Sequence, residues 1–246
     1  MPSRAYVFFD VDDTLLEWTT SWADVFAQVA GEAGVKVSVA QAWHLLRGAF
    51  AGVYAECVAL HAASGDARAF WEDYDARLLL ALGVTEDVPR HAERVIELLS
   101  RPDAVRLYPE VPQVLDELKG TGARLGIITS RPVARPDLER FGIYDWFDLV
   151  IDAFSARSVK SEGAMFAAAA ETAAAEQRAA VHVGDSYADD VIGSRAAGIL
   201  PILVDRHGRY PDADCLRISD LTPVPGIVAN GASRRESTPP NTEPPS

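Results

Sequence analysis

The sequence predicts an α/β protein: a Rossmann-like parallel-sheet core with an inserted all-helical domain. Three observations predict it. Short, uninterrupted apolar runs recur, led by Ala5-Tyr-Val-Phe-Phe9. Beyond residue 105 these runs alternate with helical patterns. Between the first run and the rest, residues 16–105 read as helix after helix.

A run without polar alternation is a strand covered on both faces, as in a parallel sheet. Residues 5–9, Arg124–Ile128, Leu149–Ile151, Ala180–Val183 and Pro201–Val204 have this character. The intervening helices are expected at Val111–Lys119, Val133–Phe141, Glu162–Glu176 and Ala188–Ala197. The first follows Pro109 and stops at Gly120 and Gly122, the expected asymmetry of Pro at a start and Gly at an end. The third is so rich in alanine that propensity alone favours it. Strands alternating with helices imply right-handed crossovers in one sheet.

The helical block should run through 21–31, 38–50, 53–63, 66–82 and 88–100, with no strand. This divides the chain into a core of residues 1–15 and 106–228 and a helical cap at 16–105. From about 229 the composition turns to Pro, Ser, Thr and Asn, and a disordered tail is expected over 229–246.

Net charge is -13 and no basic run is present, which argues against a nucleic-acid partner. No apolar stretch has the length of a signal segment or a membrane span. Cys57 and Cys215 are the only cysteines, consistent with a reducing cytoplasmic setting and no disulfide framework. Lysine is scarce: Lys36, Lys119 and Lys160 are all there are.

Four short segments carry candidate chemistry. Asp10 and Asp12 end the first strand two residues apart, so a strand's period of two sends both to one side. The carboxyl edge of an open parallel sheet is where ligands bind. Thr129 and Ser130 end a second strand and bring two hydroxyls to that edge. Lys160 stands just before a helix. Gly184-Asp185 ends another strand, with Asp189 and Asp190 close behind. Taken singly, a turn or cap explains Thr129, Ser130, Asp189 and Asp190, and a solvated surface explains Lys160; the Asp10–Asp12 pair and Asp185 are poorly explained that way. Carboxylates brought together there would repel, by about 4 kcal/mol for a pair about 4 Å apart at an effective dielectric of about 20. Lys160 offers one positive charge against that repulsion.

In order and placement the four segments resemble the haloacid dehalogenase-like hydrolases, over about residues 5–205. Asp10-Val-Asp-Asp-Thr-Leu15 looks like the first motif of that family, Thr129 the second, Lys160 the third, and Gly184-Asp185 with Asp189 and Asp190 the fourth. Asp13 stands where Gly is common, and Ser161 where Pro often follows the lysine. The resemblance implies a phosphohydrolase acting on a small phosphorylated metabolite through an aspartyl-phosphate on Asp10. It implies Asp12 as acid and base, with Asp12, Asp13, Thr129, Ser130 and Lys160 holding the phosphate. Magnesium would sit on Asp10, Asp12 (through its main-chain carbonyl) and Asp185, with Asp189 or Asp190 behind. From the cap, Trp18, Trp22, His44, Arg47 and Tyr54 are candidates to read the substrate. A dehalogenase or phosphonate hydrolase on the same scaffold is the alternative within enzymes. A non-catalytic phosphate-binding module is the alternative outside them. Oligomeric state is not legible.

Overall fold

The computed structural model describes residues 5–236. The chain opens with β1 (Ala5–Phe9), and a short strand β2 (Leu16–Trp18) leads into five helices. These are α1 (Trp22–Glu32), α2 (Val39–Ala49), α3 (Ala55–His61), α4 (Ala67–Ala81) and α5 (Val88–Leu99). A returning strand β3 (Val105–Leu107) pairs antiparallel with β2. Then follow α6 (Val111–Gly120), β4 (Arg124–Ile128), α7 (Arg135–Arg140), β5 (Leu149–Ile151), α8 (Ala153–Ala156) and α9 (Ala164–Ala175). The chain continues through β6 (Ala179–Gly184), α10 (Gly193–Ala196), β7 (Leu200–Val204), β8 (Leu216–Ile218) and α11 (Val224–Glu236).

Six strands form one sheet in the order β5-β4-β1-β6-β7-β8, and every neighbouring pair is parallel. All five residues of β1 are buried, as its unbroken apolar run requires. The chain builds the sheet outward from β1 on one side through β4 and β5, then on the other through β6, β7 and β8. Both flanks of β1 therefore meet at a switch point, and loops leaving its carboxyl edge diverge there.

One face of the sheet packs on α6 through Val111, Val114, Leu115 and Leu118. The other packs on α9 through Met165, Phe166, Ala169 and Ala173, spaced to share one helix face. The helices α1–α5 gather a buried cluster of their own, including Phe26, Phe70, Tyr74 and Leu78. Each such side chain contributes about 1.5–3 kcal/mol on burial. Ala153, Phe154 and Val159 of the sheet domain join that cluster, so the inserted helices rest on α8 and the turn after it.

Four departures from the sequence reading bear on the site or the domain bounds. Residues 16–105 are not free of strand, because Leu16–Trp18 and Val105–Leu107 close the insertion as a two-stranded ribbon. Three residues are too few to show a period. The helix expected from Glu162 begins at Ala164; Lys160–Glu162 is a 3-10 turn, with Glu162 reaching back to the Val159 amide at 3.2 Å. The segment 187–196 is π-helical over Tyr187–Ile192 before α10 begins. The tail does not lose structure at 229. Helix α11 runs to Glu236, started by Pro225 and anchored by buried Val224 and Val228; residues 237–246 lie outside the described residues.

Candidate active site

Asp10, Thr129 and Asp185 each follow the end of a strand, and those strands, β4, β1 and β6, lie side by side. Their side chains meet at one edge because a parallel sheet aligns all its carboxyl ends. Lys160 enters from the 3-10 turn and is 4 % exposed, deep burial for a lysine. Its ammonium donates to Asp10 Oδ1 and, at 2.7 Å, to Asp190 Oδ1.

Asp190 is the more elaborately held carboxylate. Its Oδ1 also meets His182 Nε2 at 2.8 Å, and its Oδ2 accepts the Ser186 amide at 2.9 Å. Burial works against its charge, yet Lys160 and His182 hold it well below the usual carboxylate range. Burial lowers His182, and its Nε2 faces the Asp190 carboxylate, to which it donates. Its Nδ1 has no partner, so His182 is in the core but only half satisfied. Asp189 lies on the other side of the turn. Its amide is capped by Ser186 Oγ at 3.2 Å, and no hydrogen bond or ion pair joins it to Lys160.

Gly184 makes this arrangement possible. A Cβ there would lie 2.2 Å from Asp190 Cγ, closer than any real contact. Asp13 stands at φ 53, in the left-handed region, and turns the chain sharply after Asp12. Arg206, from the loop after β7, donates to the carbonyls of Thr14 at 2.9 Å and Asp13 at 3.3 Å and secures that turn.

Asp12 pairs with Arg131, which donates at 2.6 and 2.9 Å, and accepts the Trp18 indole N–H at 2.6 Å. Burial opposes its charge, but this pairing holds Asp12 below the ordinary range. Thr129 is buried, and its hydroxyl accepts the Arg131 amide at 3.3 Å. Ser130 Oγ accepts the Lys160 amide at 3.4 Å, and the Ser130 carbonyl accepts the Tyr54 hydroxyl at 2.7 Å. Of the five candidates from the insertion, Trp18 and Tyr54 therefore reach the motif residues. Trp22 follows at one remove, edge-on to Trp18 at 5.2 Å. His44 and Arg47 do not reach the site. Both are exposed on α2, where Arg47 lies over Trp43. Their three-residue spacing marks a solvated helix face.

Oxygens of Asp10, Asp185 and Asp190 lie within 4.8 Å of one another. Burial, with the neighbouring carboxylates, raises Asp185 well above its ordinary value. Burial raises Asp10 too, against the pull of Lys160. Crowded, under-compensated carboxylate oxygens suit a hard cation. Three donors already sit on Asp190 and one each on Asp10 and Asp185, so Asp10 and Asp185 have the most free oxygen sites for a cation. Arg209 reaches Asp185 at 3.1 Å from the outside. Sequence reasoning missed Arg131, Arg206 and Arg209; only Arg131 had a signal, its place directly after Thr129-Ser130.

Among the described residues no helix is long and apolar enough to cross a membrane. Residues 5–198 match the family described as haloacid dehalogenase-like hydrolase. Over 212 residues the chain is 28% identical to the glyceraldehyde 3-phosphate phosphatase of Methanothermobacter thermautotrophicus, covering 81% of this chain and 84% of that one. A 2-haloacid dehalogenase structure from Pseudomonas syringae superposes with a TM-score of 0.62 at 28% identity, over 92% of this chain and 99% of that one. A HAD phosphatase structure from Thermococcus onnurineus gives 0.61 at 25% identity, over 91% and 97%. With the four motif segments converging at one sheet edge and the family matching most of its length, this chain belongs to the haloacid dehalogenase-like hydrolases.

Proposed function

We propose that this hydrolase is a magnesium-dependent phosphatase of small phosphate monoesters, working through an aspartyl-phosphate on Asp10. The observation that carries the reading is the Asp10–Lys160 pair with Asp12 two residues away and Asp185 alongside. A dehalogenase has no use for that second carboxylate at the leaving group.

Asp10 attacks phosphorus, and the bond to the leaving oxygen breaks. Asp12 gives that oxygen a proton, worth about 10²–10⁴-fold. A water then attacks the aspartyl-phosphate, Asp12 takes its proton, and inorganic phosphate leaves with Asp10 restored. Lys160 and the Thr129 hydroxyl stand where they can hold the oxygens on which charge develops. Asp10 and Asp190 raise Lys160 despite burial, which favours its charged form. Asp10, Asp185 and the main-chain carbonyl of Asp12 would hold magnesium, which when bound neutralises charge on the phosphate.

The helices α1–α5 act as a cap in this reading. Trp18 and Tyr54 tie the insertion to the Asp12 and Ser130 segments, so its position is coupled to the reacting groups. Small phosphorylated metabolites of the cytoplasm are the proposed substrates. Phosphate release across a metabolite panel, with and without magnesium, tests the reading. Asp10→Asn should abolish turnover with the thermal melt unchanged. Retention of more than a few per cent of activity would remove Asp10 as nucleophile.

A further inference from the structure

Asp12 is gripped from one side. Arg131 Nη2 donates to its Oδ1 at 2.6 Å and Nε to its Oδ2 at 2.9 Å. Trp18 Nε1 donates to the same Oδ1 at 2.6 Å. A carboxylate offers about four lone-pair sites, two on each oxygen. Oδ1 is therefore saturated, and one site is left on Oδ2. The Asp12 side chain is 37% exposed, so the carboxylate is not sealed off by the protein.

Arg131 is itself fixed. Its side chain is 12% exposed, Nη1 pairs with Asp137 on α7, and the guanidinium lies 5.5 Å from the Trp18 ring centroid. A planar fork anchored at its far end defines the plane and rotation of the carboxylate it holds. A lysine in its place would fix neither.

We infer that Arg131, with Trp18, is a positioning residue that presents Oδ2 of Asp12 as the only atom of that carboxylate able to exchange a proton with the leaving oxygen or the attacking water. The inference rests on the proposed role of Asp12. The balance is simple. Asp12 enters ionised, held so by Arg131 and Trp18. Oδ2 takes a proton from the bound phosphate monoester monoanion and passes it to the leaving oxygen as its bond to phosphorus breaks. It takes one again from the water that attacks, and returns it to the departing phosphate. Arg131 gains and loses none.

The test compares kcat/KM over aryl and alkyl phosphates of rising leaving-group basicity. Arg131→Met should lose about 10-fold on p-nitrophenyl phosphate and about 100-fold or more on alkyl phosphates, the range of a lost general acid. In an Asp12→Ala background the same change should cost less than about 3-fold, because a residue acting through Asp12 has nothing left to position. Arg131→Lys should recover only part of the loss. Trp18→Phe keeps the ring and removes one donor, and it should show the same slope in smaller measure if Arg131→Met fails to fold. A loss equal across all leaving groups, or an undiminished loss in the Asp12→Ala background, would overturn the inference. A wild-type chain that released no phosphate from any ester would remove the phosphatase reading as well. An active wild type with a flat Asp12→Ala profile would remove only the role of Asp12 and this inference.

Discussion

Lys160 and Asp190 are joined by a 2.7 Å ion pair, and the same ammonium reaches Asp10 on its other side. This relationship separates two adjacent acids that look equivalent in sequence. Asp190 is 1% exposed and shares its oxygens among Lys160, His182 and the Ser186 amide, whereas Asp189 is half-buried at the edge of the turn. Asp190→Ala should therefore lower phosphate release by about 10²-fold or more, because Lys160 loses the partner that aims it. Breaking a buried pair costs about 3–5 kcal/mol, so the melt should fall by roughly 10 °C. Asp189→Ala should change the rate by less than about 3-fold. Equal effects from the two variants would contradict this division.

Gly184 tests the same network from the backbone. Its missing side chain is what lets Asp190 fold back against β6, with a built Cβ 2.2 Å from Cγ. Gly184→Ala should push Asp190 off Lys160. The expected destabilisation is about 1–3 kcal/mol, that of an overpacked core site. The rate should fall about 10-fold or more even at temperatures where the variant is fully folded. Thermal melts and rates measured together check this, and a normal rate would show that Asp190 can move freely.

The sheet and the four motif segments were legible because each rests on a local signal: an unbroken apolar run, then a polar residue at its end. Asp10, Thr129 and Asp185 are where those signals put them. The choice between Asp189 and Asp190 was not legible, because a π-helical turn decides which of two neighbours points inward. His182 read as a strand interior and turned out to support Asp190 across eight residues of chain. Arg206 and Arg209 carry no local signal at all, since their partners Thr14 and Asp185 lie 192 and 24 residues away. His44 and Arg47 shared a face as expected, but the packing of α2 turns that face to solvent.

Asp75 offers a stability test remote from catalysis. It lies on α4 at 1% exposure, and its Oδ1 has no hydrogen-bond partner. Burial alone raises it well above the ordinary carboxylate value. The unfolded chain therefore releases this proton at lower pH than the folded one. Stability from this group is intact below the unfolded value, about 3.9, and is lost as pH rises toward the folded one. Asp75→Asn removes that slope. Its melting temperature should exceed the wild type's at pH 8, by about 2–4 °C for each kcal/mol gained, and the gap should close near pH 4. A gap independent of pH would mean that Asp75 is charged in the fold.

Magnesium should raise the melting temperature of the wild type, and EDTA should reverse the rise. A ligand at about a hundred times its dissociation constant contributes about 2.7 kcal/mol to the folded state. Asp185→Asn removes a crowded carboxylate and should abolish the shift, while Asp189→Asn should keep it. The readout is independent of turnover. A shift that survived Asp185→Asn would place the cation elsewhere.

The last prediction concerns reaction class. The structural relatives include a haloacid dehalogenase as well as a phosphatase, so overall shape does not choose between carbon–halogen and phosphate-ester cleavage. The leaving group does. An alkoxide leaves poorly without a proton, and Asp12 is a carboxylate two residues beyond the nucleophile with one acceptor site on Oδ2 not taken by a protein donor. A halide needs no proton, and the resemblance implies that dehalogenases of this family lack an acid at this position. The resemblance implies the same of phosphonate hydrolases, which would use a cap lysine to form a Schiff base. The insertion holds a single lysine, Lys36, which lies between α1 and α2 and beside Val37 and Gln41 on an outer groove. Phosphate release from esters should therefore exceed both halide release from 2-haloacids and phosphate release from phosphonoacetaldehyde by about 10²-fold or more, the scale of a working general acid. Lys36→Met should leave ester hydrolysis within about 2-fold of wild type, as an exposed substitution does. Halide or phosphonate turnover above that of every ester tried would assign the chain to another reaction, and Asp12 would then need a different role.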